Sequence, residues 1–134
     1  MTRRIIALSV LAAAAYFAVA FWLQYSYVDL APKGSVVVQI VPPFARHGNA
    51  AVSYFEQPLA LQTAARIECT EGVPCSPLEI YEDGIKLGPG SSDFAEIAEI
   101  GRGHFAHSVN AIAFSSSDNS DPATNGRHYW AVLP

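Results

Sequence analysis

Ile5–Leu23 is a run of 19 residues without a single charge. A helix needs about 20 apolar residues to cross roughly 30 Å of hydrocarbon, so this run is long enough to span a membrane. Arg3 and Arg4 precede it, and positive charge stays on the cytoplasmic side, which predicts the N-terminus inside and the remainder outside. Phe21, Trp22, Tyr25 and Tyr27 cluster at the far end, as an interfacial aromatic belt does. The rival reading is a signal peptide cleaved after Ala20, because Ala18-Val19-Ala20 has the small-x-small pattern. Apolar character continues through Phe21, Trp22 and Leu23, which favours an uncleaved anchor. Ala12–Ala15, Ala18 and Ala20 are small enough to admit a neighbouring helix, and are equally acceptable filler in a lone span.

Setting that run aside changes the charge balance. All 12 acids lie from Asp29 onward, whereas two of the 8 bases are Arg3 and Arg4; 12 acids against 6 bases leave −6 on the exported part, compared with −4 for the whole chain. A surface of this sign does not neutralise phosphates, so nucleic acid is excluded as a partner. Binding to anionic headgroups through a basic patch is also disfavoured. Cations, neutral sugars and basic protein faces remain.

Cys69 and Cys75 enclose Thr-Glu-Gly-Val-Pro. Outside the cytoplasm a pair this close reads as a disulfide. The spacing does not suit a zinc site, and there is no Cys-x-x-Cys redox motif.

Beyond Asp29–Gly34, a linker, the periodicity is of strand type. Ser35–Val41 is β-branched and stops at Pro42-Pro43, and Ala51–Phe55 follows as a second strand. Leu59–Cys69 alternates, with Leu61, Thr63, Ala65 and Ile67 on one face, and is expected to be a third. Asp83-Gly84 between Leu78–Glu82 and Ile85–Leu87 predicts a type I′ hairpin. Asp93 and Glu96 form a capping box for a two-turn helix whose Phe94, Ile97 and Ile100 share a face and which closes at Gly101. Strands are expected again at Phe105–Ser108, Asn110–Ser115 and His128–Leu133. The fold class is therefore mainly β: an anchor over 1–28, a linker over 29–34, and an antiparallel β-sandwich with one short helix over 35–134.

The most polar stretch is Ser115–Arg127. Asp118, Asn119, Asp121, Asn125 and Arg127, with Tyr129 just beyond, form the candidate ligand-binding set. The same residue types also serve local Asx and Ser/Thr turns, and Asn125-Gly126 suits a hairpin turn. The ligand spacing is not that of an EF-hand. His104 and His107 are three apart on a predicted strand, hence on opposite faces and unable to share a metal; His47 and His128 stand alone. No nucleophile elbow or phosphate-binding glycine loop occurs, and Gly101-Arg102-Gly103-His104 follows a helix instead of opening one. Glu82-Asp83 and Glu96 with Glu99 read as exposed charge at a hairpin tip and on a helix face. Tyr54, Tyr81, Tyr129 and Trp130 are the aromatic rings that could stack on a sugar, with Tyr129 and Trp130 on opposite faces of their strand. No catalytic residue, metal or cofactor is expected.

Three stretches, Ile80–Pro89, Ile97–His107 and Phe114–Tyr129, together resemble a β-rich module of bacterial cell-envelope membrane proteins, including some membrane glycosyltransferase-like proteins. The Ser-Asp-Asn-Ser-Asp-Pro-Ala-Thr-Asn-Gly-Arg run is its most specific part. The chain departs from the pattern at Gly101-Arg102-Gly103-His104-Phe105-Ala106-His107, where Ser-His-Trp is expected, and at Ala123 and His128, where Arg is usual. The resemblance covers Leu78–Tyr129 and implies an envelope location and a glycan context. With the anchor, it predicts a bacterial inner-membrane protein with a periplasmic domain. The expected role is a non-enzymatic accessory subunit of a larger membrane assembly, with other membrane subunits as partners. The alternative is a glycan-binding module of envelope polysaccharide metabolism.

Overall fold

A computed structural model describes residues 2–26, 31–65 and 76–134. The uncharged run is helical throughout: α1 (Thr2–Ser26) contains Leu8–Ser26, long and apolar enough to cross a membrane, and none of the residues of that span is buried among the described residues. A helix satisfies its own backbone polar groups, which is what a membrane interior demands.

Among the described residues the remainder forms two antiparallel four-stranded sheets and two short helices. The strands are β1 (Val36–Ile40), β2 (Ala45–His47), β3 (Ala50–Tyr54), β4 (Glu79–Glu82), β5 (Ile85–Lys86), β6 (Phe105–His107), β7 (Ala111–Phe114) and β8 (Tyr129–Leu133). The first sheet runs β1-β8-β4-β5 and the second β2-β3-β7-β6. The last strand is thus inserted between β1 and β4, with Ile40 and Glu82 both opposite Tyr129. Proline at 42 and 43 ends β1, since proline cannot donate to a ladder. The expected hairpin forms: Asp83 and Gly84 both take positive φ, 48° and 82°, and Glu82 pairs with Ile85.

Both sheets contribute to one apolar cluster. Ile40, Ile80, Tyr129 and Ala131 of the first sheet join Ala51, Phe105, Ile112 and Phe114 of the second. The rings of Phe114 and Tyr129 lie 4.9 Å apart between centroids, and Phe44 meets Phe114 edge-on at 5.4 Å.

The helices correct the sequence reading in two places. Leu59–Cys69 is expected as a strand, but α2 (Leu59–Ala64) occupies its first half and residues 66–69 lie outside the described residues, so the described residues hold two short helices besides α1. Pro58 precedes the first helical residue and accepts from the Gln62 N–H, and Leu61 and Ala64, three apart, turn inward. Leu, Ala and Gln are strong helix formers, and the alternation of Leu61, Thr63 and Ala65 has too little apolar contrast to outweigh them. The second helix, α3 (Phe94–Glu99), has the expected capping box, with the Asp93 N–H donating to the Glu96 carboxylate at 3.2 Å. Its apolar face is narrower than expected. Ile97 is fully buried, whereas Phe94 and Ile100 are about half exposed. Three residues advance a helix by 300°, so these two sit about 60° to either side of Ile97. The C-terminus of α3 is seated on the β2–β3 turn, where Ala98 O accepts the Asn49 N–H at 2.9 Å.

Ile112 has no exposed surface and Ile85 is mostly exposed. Chemical denaturation should therefore show Ile112→Val destabilising by about 0.5–1.5 kcal/mol. Ile85→Val should stay within about 0.5 kcal/mol.

Candidate functional site

The loop of residues 115–128 carries the chain from β7 in the second sheet to β8 in the first. Its polar side chains converge beneath the end of β4. Glu82 follows Leu78 and Ile80 at a spacing of two, so the pleat turns its carboxylate inward with theirs, and it is only 6% exposed. It accepts from the Tyr129 hydroxyl at 2.8 Å, from Arg127 Nη1 at 3.1 Å and from the Ser117 hydroxyl. Arg127 then grips Asp118 with both terminal nitrogens, at 3.0 and 2.6 Å. Asp118 also accepts from the Ser120 N–H and hydroxyl. Asn125 donates to Ser120 Oγ and to the Tyr129 oxygen, at 3.0 and 2.8 Å.

The two remaining candidates anchor the loop elsewhere. Asn119 adopts a left-handed φ of 65°, accepts the Arg102 N–H at 2.6 Å and donates to Ile100 O at 3.0 Å, which ties the loop to the end of α3. Gly101 leaves room for this contact, since a Cβ there would stand 2.2 Å from Asn119 Oδ1. Asp121 accepts the Ala123 N–H in an Asx turn and pairs with Arg46 of β2 at 3.0 Å. Asn125-Gly126 is no hairpin turn, because the strands on either side belong to different sheets; Asn125 instead accepts the Arg127 N–H.

The electrostatics follow from these contacts. The Arg127 guanidinium, aided by Ser120, holds the Asp118 carboxyl below the usual carboxylate range. Asp118 and Glu82 raise Arg127 in turn, and burial pushes the Tyr129 phenol up. The cluster is a neutral phenol and two carboxylates around one guanidinium, with donors and acceptors matched.

A second polar chain links α2, β6 and the start of β4. Gln57 Nε2 donates to Ser108 O, which leaves its Oε1 to accept from His107 Nε2 at 2.8 Å. His107 Nδ1 then accepts from the Ser76 hydroxyl at 2.8 Å. A Ser–His pair invites comparison with an activated nucleophile. Here Ser76 Oγ already accepts the Leu78 N–H, and the third member is a neutral amide that cannot stabilise an imidazolium as a carboxylate does. Burial pushes the His107 pKa down. The chain is a staple holding three segments together.

Of the four rings considered for stacking, Tyr129 is in the core, 1% exposed, and offers no platform. Trp130 faces the other way, as expected, beside Tyr81 in register, with its Nε1–H buried and without a hydrogen-bond partner among the described residues. The Tyr81 hydroxyl donates to Glu79, which also binds Lys86. Tyr54 alone is broadly open, at 69% exposure. Phe21, Trp22 and Tyr25 all project from α1 as exposed rings. The side chains of Arg3 and Arg4, and Cys69 and Cys75 with their expected disulfide, lie outside the described residues. Among the described residues no three His, Cys, Asp or Glu side chains are grouped to hold a metal.

Sequence reasoning missed Glu82, taken for exposed charge, and Arg46, whose short strand has no apolar pattern. The signal for Glu82 was present in the alternation Leu78, Ile80, Glu82. Comparison of the chain with protein-family models, curated proteins and solved structures gives no match.

Glu82→Ala strands Arg127 and the Tyr129 hydroxyl, so equilibrium unfolding should show a loss of about 3–5 kcal/mol. Glu82→Gln keeps an acceptor and should cost less. Asp121→Ala removes a half-exposed ion pair and should cost at most about 1 kcal/mol.

Acid should act in two stages. His107 is held neutral, so the unfolded chain takes up its proton first as pH falls below 6.5. The depressed Asp118 contributes stability that is present above 3.8 and is lost as pH falls through that value toward its folded pKa. Unfolding measured from pH 7 to 3 should show His107→Gln flattening the upper stage and Asp118→Asn the lower.

Proposed function

We propose that the chain is a single-pass protein of a bacterial inner membrane, with its N-terminus cytoplasmic and a periplasmic β-sandwich. On this reading it is a non-enzymatic accessory subunit of a larger membrane assembly. The observation that carries it is the coupling of one exposed apolar helix, ringed at its end by Phe21, Trp22 and Tyr25, to a separately cored β domain. A helix with no residue of its span buried among the described residues leaves its side chains exposed to lipid or to another subunit's helix. The sandwich arrangement is supported by the apolar cluster that both sheets share. The polar loop serves the fold, since its Asp118, Arg127 and Asn125, with Tyr129, are engaged with one another and with Glu82 in holding the sheets. A glycan-binding role is the second reading. Its support is the exposed Tyr54 ring on the outer face of the second sheet.

The test is made on the full chain extracted from native membranes in mild detergent. Intact mass should show Met1 retained or removed alone, and native mass should show a complex of fixed stoichiometry. A mature chain starting at Phe21 removes the anchor. A free monomer under every mild condition removes the subunit role.

A further inference from the structure

The outer face of the second sheet carries a groove of about 260 Å³. Its floor is cut low because the middle of the sheet bears small side chains there: Val52 of β3 stands opposite Ala113 of β7, which stands opposite Ala106 of β6. Its ends are aromatic. His47 pairs with Ala50 at the start of β3, and its ring packs edge-on against Phe94 at 5.8 Å between centroids. Tyr54 closes the far end, four residues further along β3, a rise of about 13 Å. Tyr54 and Phe94 keep 69% and 47% of their surface exposed. No side chain among the described residues hydrogen-bonds to the Tyr54 hydroxyl or the His47 ring.

We propose that this groove binds a single ring of a neutral saccharide. Three features select that chemistry. Among the described residues no Asp, Glu, Lys or Arg lines the groove, although the chain from Asp29 onward carries −6, so these walls do not select a charged ligand. The volume is at the small end for ligand pockets, of a size for one ring and not for a helix or a strand. The third feature is the arrangement of polar and apolar groups. A pyranose presents a face of C–H bonds and a rim of hydroxyls; the aromatic walls suit the face, and the unengaged Tyr54 hydroxyl and His47 imidazole suit the rim. An aliphatic side chain of a protein partner would use the walls and leave those two polar groups without a role. The inference rests on the glycan-binding reading and deepens it, naming the site and the ligand class, and it does not depend on the subunit role. Its residues are remote in sequence from the Ser115–Arg127 loop.

The test is titration of the detergent-solubilised full chain with neutral tetrasaccharides of glucose and of N-acetylglucosamine, followed by calorimetry and by saturation-transfer NMR. One or both should bind, with transfer strongest to the ring C–H protons. Tyr54→Ala and Phe94→Ala should each weaken binding by roughly 3–10-fold, a stacking contact's worth. Tyr54→Phe should retain most of the affinity, and Asp121→Ala all of it. Because Tyr54 and Phe94 are exposed, the thermal midpoint should be nearly unchanged in both alanine variants. Free tetrasaccharides and insoluble peptidoglycan, compared as ligands, separate a soluble sugar from a wall polymer as the source. Absence of binding up to about 10 mM overturns the proposal. So does binding that neither alanine variant weakens. Loss of a stoichiometric protein partner in Tyr54→Ala, with no saccharide bound, makes the groove a protein docking site and also overturns it. The anchor and the subunit role are read separately, from the mass and stoichiometry of the unaltered chain.

Discussion

A buried carboxylate cannot be left alone, and the loop above Glu82 is built around that requirement. Burying an ion costs several kcal/mol unless charge and hydrogen bonds replace the lost water. Glu82 obtains a guanidinium from Arg127 and hydroxyls from Tyr129 and Ser117. These donors come from the crossing between the sheets and from the first residue of β8, so satisfying Glu82 also fixes where the last strand enters. Tyr129 serves both sides of the arrangement. Its hydroxyl completes the polar cluster, and its ring packs on Phe114 in the shared apolar core.

From that centre the restraint spreads outward through the loop. Arg127 holds Asp118, Asp118 holds Ser120, and Asn119 ties the next turn to the end of α3. Asp121 reaches β2 through Arg46. A stretch this polar could have been a ligand cradle. Here its side chains are engaged with one another and with neighbouring elements inside the domain, while the Tyr54 hydroxyl and the His47 ring, which no described side chain engages, lie on another face.

How much of this was legible in the sequence depends on how local the cause is. Asp83-Gly84 and the Asp93–Glu96 box act over four residues, and both form as the sequence predicts. The loop is unusual in composition, and its five singled-out residues, with Tyr129 just beyond, take part in its contacts. The partner that explains them is not legible there, because Glu82 and Arg127 are 45 residues apart and nothing in the sequence pairs them. The placement of β8 between β1 and β4 is non-local in the same way. The error at Leu59–Ala64 has a different origin: Ala and Thr fit a strand face or a helix face, so period alone could not decide. The groove was hidden for a related reason. Ala106, Ala113 and Val52 are unremarkable in sequence and become a floor only when register sets them side by side.

Under the proposed topology the tether narrows what the groove can reach. Nine residues, 27–35, separate Ser26 from Val36, and fully extended they span at most about 30 Å. The domain is therefore confined to the zone next to the bilayer. Its charge of −6 works in the same direction as a spacer, since anionic headgroups repel it within roughly a Debye length, about 8 Å at physiological salt. On the proposed saccharide reading, a groove with no charge among its described lining residues, on an acidic body, approaches a neutral polymer without attraction at long range, so the association rate gains nothing from steering. What it gains instead is local concentration: a saccharide carried by the same membrane, or held within the tether's reach, meets the groove far more often than a free one. Weak stacking on one ring then suffices where the ligand is repeated along a chain, because each repeat offers another binding event within reach.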